Sequence, residues 1–133
     1  MQQHTNVKAA IAYDDLDKLT ALDMVARESM RLVTPVPAVA RRTVKDTELL
    51  GYHIPRDTMV NVSLYAGHHL EEFWPDPERF DPERFSPERH EDKVHRNAWM
   101  PFGNGVHKCI CLHFGMMQIK AAMHQVLLRY QWS

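Results

Sequence analysis

Between Gly103 and Gly115 the chain reads GNGVHKCICLHFG, which sets His107, Cys109, Cys111 and His113 within seven residues. Both cysteines of the chain are here. Thiolates and imidazoles are soft ligands for transition metals, so two chemistries are open: four side chains around one ion, or one cysteine acting alone. On an extended strand all four would alternate to one face and a zinc or copper site could form. On a helix opened by Cys109, Cys111 lies about 200° around the axis and points away, while His113 shares the face of Cys109. The glycines before and the helical period after favour the loop-to-helix reading. One cysteine then sits at a helix N-terminus, where the dipole and free N–H groups stabilise a thiolate. Gly103 and Gly105 let the backbone pass close to something flat or bulky. The bland alternative is an inert, buried cysteine beside a turn.

The elements that must position this loop are readable from period and punctuation. TALDMVARESMRLVTPVP predicts a helix started by a capping-box-like Thr20–Asp23 spacing and stopped by Pro35 and Pro37. Leu22, Val25, Ala26, Met30 and Val33 form its apolar stripe, and Glu28 and Arg31 lie on the other side. AVARRTV, TELLGYHIP and TMVNVSL predict short antiparallel strands. A short helix is expected around Gly67–Phe73. DPERFDPERFSPERH repeats a five-residue unit three times, and its prolines exclude regular helix or central strand. It predicts an ordered meander pinned by Phe80 and Phe85, with ionic contacts among its Glu and Arg side chains. A last helix is expected from about Ile110 to Tyr130, with Ile119, Met123, Val126, Leu127 and Tyr130 facing the core. His68, His69, His90, His95 and His124 read as surface histidines, Lys108 and Lys120 as solvated lysines. Met116, Met117 and Met123 read as core filler.

Composition narrows the function classes. With 44% hydrophobic residues, 25% charged and a net charge of -1, the 133 residues suit one globular unit. There is no basic footprint for nucleic acid. No apolar run reaches a membrane span, and MQQHTNVKAA lacks a secretory layout. Two cysteines one residue apart suit a reducing compartment, which predicts a cytoplasmic protein unless an upstream segment carries an anchor.

FGNGVHKCIC, Phe102 to Cys111, resembles the haem-binding loop of the cytochromes P-450, Phe-x-x-Gly-x-x-x-Cys-x-Gly. ESMR resembles the family's Glu-x-x-Arg helix motif, PERF at Pro82–Phe85 its meander motif, and PVPAVARRTVKD its strand segment. Their order covers the chain from about Tyr13 to its end. The resemblance implies a mainly α fold with a small antiparallel β region (α+β), with residues 1–133 forming the C-terminal haem-binding portion of one larger domain. It implies that Cys109 is the axial thiolate of haem iron and the catalytic ligand. His107 and Arg41, with Arg42 a close competitor, would hold the propionates, and Phe102 would pack beside the thiolate loop. Glu28, Arg31 and Arg84 would form an ion-pair triad tying helix to meander, and Thr34 to Val39 would line the substrate side. Cys111 stands where the family has glycine. The family's distal helix, with its acid–threonine pair, and its terminal hairpin have no counterpart, so a fragment cut at both ends is expected.

The implied activity is insertion of one atom of O2 into an apolar, lipid- or sterol-like substrate. Electrons would come from NAD(P)H through a ferredoxin or flavin reductase, and the isolated chain would be inactive. Two other classes stay open: a small metal module using Cys109 and His113 with Cys111 or His107 recruited, and a non-catalytic interaction fragment.

Overall fold

The structure, a computed structural model, describes residues 11–130. The leader reading of the first ten residues and the final QWS lie outside them. A 3-10 turn, Tyr13–Lys18, leads directly into helix α1, Thr20–Leu32. The expected capping box does not form. Leu19 is the N-cap and its carbonyl accepts the amide of Asp23. The Asp23 carboxylate is used elsewhere, pairing with Arg27 one turn on at 2.9 Å and with Lys120 at 3.5 Å.

Strands β1 (Ala38–Arg42) and β4 (Met59–Ser63) pair antiparallel, with Arg41 opposite Val60. TELLGYHIP is two strands rather than one, β2 (Thr47–Leu49) and β3 (Tyr52–Ile54), forming a hairpin. Leu50 and Gly51 turn it at φ 52° and 83°, the two positive values a type I′ turn demands. Helix α2 spans Leu64–His68, three residues earlier than expected, because the Ser63 side chain caps it by accepting from the Ala66 amide. The Pro37 carbonyl accepts from both Leu64 and Tyr65, fixing α2 against the start of β1.

The core has two joined parts. Ala26, Met30 and Met116 are buried between α1 and the last helix, α3 (Leu112–Arg129), and Trp74, Phe85 and Ala98 under the meander. Trp99 packs on both, with its ring 5.8 Å from Phe85 and 6.3 Å from Phe102. Phe85 pins the meander as expected, but Phe80 is about half exposed, and the buried Trp74 takes its place. The stripe on α1 is buried at Ala26 and Met30 only, and Val33 is exposed. On α3 burial is concentrated in the first half. Leu127 and Tyr130 are exposed, since no other described element packs on that face.

The side of α1 that periodicity assigns to solvent is the more deeply buried one. Glu28 and Arg31 are fully buried, as is Arg84 from the turn Pro82–Phe85. The meander has no ladder, so its carbonyls need donors from elsewhere. Arg31 donates to the carbonyls of His68 (2.8 Å) and Pro77 (2.6 Å), and Arg84 to those of Pro75 (2.6 Å) and Asp76 (2.7 Å). Glu28 accepts from Arg31 Nε at 2.8 Å and from the Asp81 amide at 2.9 Å. Arg84 Nε faces Glu28 Oε1 at 3.4 Å without hydrogen-bond geometry, and Arg84 Nη1 meets Glu91 at 2.8 Å.

Candidate functional site: a cysteine presented by a clamped loop

The loop carrying Cys109 is closed by its own backbone. Gly103 and Gly105 sit at φ 70° and 68°, conformations that other residues rarely adopt. The Gly103 amide donates to Met100 O at 3.0 Å, and the Cys109 amide donates across the loop to Phe102 O at 2.8 Å. Asn104 accepts from the Gly105 amide (2.7 Å) and donates to Asn97 Oδ1 (2.6 Å), tying the loop to the end of the meander. The Phe102 ring lies against α3, within 3.7 Å of where a side chain on Gly115 would begin.

Cys109 does not itself open the helix. It lies three residues before Leu112, whose amide donates to Cys109 O at 3.4 Å, and Cys111 is the N-cap. Both thiols are free and exposed. Val106 and Ile110, three residues before Cys109 and one after it, are 96% and 95% exposed, so the loop that carries the thiol also presents uncovered apolar side chains. Cys111 has φ −87° and ψ 11°, ordinary for any L-residue, so the backbone there makes no demand for glycine. His107 is exposed beside them. Arg41 is exposed on β1, where its guanidinium donates to Ala40 O, and it makes no ion pair among the described residues. No hydrogen bond or ion pair links Arg41 to the cysteine loop.

A cleft of about 800 Å³ opens beside the loop, lined by Arg27, Asp92, Trp99, Phe102, Lys108 and Met116. Cys109, Val106 and Ile110 do not line it. Lys120, read as solvated, is buried at the cleft and pairs with Asp17 and Asp23 at 3.6 and 3.5 Å. Among the described residues no three His, Cys, Asp or Glu side chains converge as a metal site. No described helix is long and apolar enough to cross a membrane.

The surface reading suits the exposed His90 and His95 and fails for His68, which is fully buried. His68 Nε2 accepts the Met100 amide at 2.8 Å, so Nδ1 carries the proton and meets Thr34 Oγ1 at 2.8 Å. Thr34 is thereby turned inward and buried, while Pro35 to Ala38 are exposed. Only the spacing hinted at a buried His68 in the sequence: Leu64 and His68 are four apart, as on one helical face. Burial, then the positive Arg31 and neighbouring His69, lowers the His68 pKa to about 4. The unfolded chain binds this proton near pH 6.5. Stability from His68 is therefore complete above pH 6.5 and lost as pH falls toward 4, by about 3 kcal/mol in all. Urea midpoints between pH 7 and 4 should fall more steeply for the native chain than for His68→Gln.

The site is thus a free, exposed thiol on a glycine-turned loop ahead of a helix, on an α+β scaffold whose meander is held by buried arginines. The chain belongs to the cytochrome P450 family, whose model matches residues 1–133. It is 52% identical over 120 residues to cytochrome P450 136 of Mycobacterium tuberculosis, covering 89% of this chain and 24% of that one. It is 40% identical over 122 residues to human cytochrome P450 4B1 (91% and 24%), and 38% over 125 residues to cytochrome P450 3A19 of Capra hircus aegagrus (94% and 57%). The chain thus spans about a quarter of the length of the first two. The cofactor of this family is haem. The residues here fit it: an accessible thiol on a loop with exposed apolar side chains suits a flat macrocycle with a thiophilic metal.

Proposed function

We propose that residues 1–133 are the haem-thiolate portion of a single larger monooxygenase domain. The observation that carries this is the exposed Cys109, held between the Phe102 carbonyl and the Leu112 amide at the mouth of α3. Cys109 supplies the axial thiolate, and Phe102 packs beside it. His107 and Arg41 are the cationic candidates for the two propionates, both exposed, with Arg41 free of acidic partners among the described residues. When bound, haem supplies the oxygen-activating chemistry, and a thiolate ligand favours O–O cleavage. This chain's share is to hold the cofactor, shield its proximal side and offer Pro35–Val39 as one apolar wall.

The substrate class that suits this wall is apolar and lipid- or sterol-like, with O2 as co-substrate. Electrons would reach the site from NAD(P)H through a ferredoxin or flavin reductase. A cytoplasmic location accords with two free thiols one residue apart. The metal-module reading has no ligand set of three among the described residues. The test is titration of the purified chain with haemin, followed by assay with donor and lipid-like substrates. One equivalent of haem taken up with no product supports the proposal. Absence of uptake would sink the haem reading, and donor-dependent product would overturn the expected inactivity.

A further inference from the structure

We infer that His68 is a positioning residue for the cysteine loop, acting through the Met100 amide. The inference rests on the haem-thiolate reading for its purpose, though not for its geometry. The connection starts at the end of α1, where Thr34 Oγ1 donates to Arg31 O at 3.2 Å and meets His68 Nδ1 at 2.8 Å. Across the ring, Nε2 accepts the Met100 amide at 2.8 Å. Met100 O then accepts the Gly103 amide, and Phe102 O the Cys109 amide. A short series of hydrogen bonds thus runs from the buried arginine helix to the backbone of the thiol.

The chemistry of the position calls for imidazole. One edge must donate to a hydroxyl while the other accepts from an amide, across a rigid ring. The Met100 amide selects the tautomer, because a proton on Nε2 would face its N–H, and Thr34 Oγ1, donating to Arg31 O, is left to accept the Nδ1–H. His68 also ties Arg31, whose guanidinium donates to the His68 carbonyl, so the loop and the ion-pair cluster share one anchor. Arg31 and His69 are the charged or titratable groups acting on the ring, and their effect with burial keeps it neutral over the ordinary pH range.

The test is amide hydrogen exchange on the ¹⁵N-labelled full chain, which needs no haem. His68→Phe fills the space without an acceptor, His68→Gln restores an acceptor toward Met100, and Thr34→Val removes the hydroxyl that anchors the Nδ1 edge of the ring. Exchange at Met100 and Cys109 should rise about tenfold or more in His68→Phe while interior α3 amides change little. His68→Gln should recover most of the Cys109 protection. Unchanged Cys109 exchange in His68→Phe, or equal acceleration throughout α3, would overturn the inference. If His68→Phe does not fold, Thr34→Val decides: faster exchange at Cys109 ahead of α3 supports the inference, and wild-type exchange overturns it. A wild-type chain that fails to ligate haem through thiolate would remove the haem reading, while the exchange rates would still decide the role of His68.

Discussion

Replacing Glu28 by alanine should destabilise the protein by about 3–5 kcal/mol, the cost of leaving buried opposite charge unpaired. The carboxylate is fully buried, with Oε2 on Arg31 Nε at 2.8 Å and Oε1 on Arg31 Nη2 and the Asp81 amide, each at 2.9 Å. Without it, two buried guanidiniums would face each other with only Glu91 left to balance them. The damage would extend beyond charge. Arg31 and Arg84 also satisfy meander carbonyls, so the whole segment behind the cysteine loop depends on where they stand. Arg31→Lys should behave as a loss rather than a conservative change, because one ammonium cannot reproduce the planar fork. Urea unfolding checks both. A loss of only about 0.3–0.5 kcal/mol for Glu28→Ala would be the value of a solvated helix pair and would contradict the buried geometry.

The second large effect concerns the two thiols. Cys109→Ser should abolish the thiolate signature of the haem-loaded, reduced, CO-bound chain, since a serine hydroxyl is not ionised at neutral pH and is a poor substitute ligand. Cys111→Ser should leave that signature in place. The difference follows from placement. The Cys109 amide is fixed across the loop to Phe102, and Val106 and Ile110 give that loop bare apolar surface. Cys111 is the N-cap of α3, and its amide makes no such bond across the loop. Absorption spectra of the two variants side by side check the assignment. Equal loss in both would mean that the thiols act together, as in the metal-module reading.

Much of the scaffold was legible because its signals are local. Pro35 and Pro37 end α1, and the glycines Gly103 and Gly105 turn the loop at the positive φ that glycine favours. Proline spacing marks the meander as irregular. What periodicity missed was set by tertiary contact. Periodicity alone places Glu28 and Arg31 on a wet face, and only the resemblance ties them to Arg84; the meander covers that face because its carbonyls need their donors. The helical stripe on the second half of α3 reads as core, but no described element packs on it, so Leu127 and Tyr130 stay exposed. His68 resembles any histidine beside a turn until Thr34 and the Met100 amide are seen on its two nitrogens. Lys120 is likewise an ordinary lysine in one dimension and a buried partner of two aspartates in three.

The central claim is that Cys109 is a haem thiolate ligand. The most direct measurement is the absorption spectrum of the purified chain after haemin is added, reduced and exposed to carbon monoxide. A strongly red-shifted Soret band, absent in Cys109→Ser, is the result expected. Haem bound with an unshifted band in the native chain would contradict it.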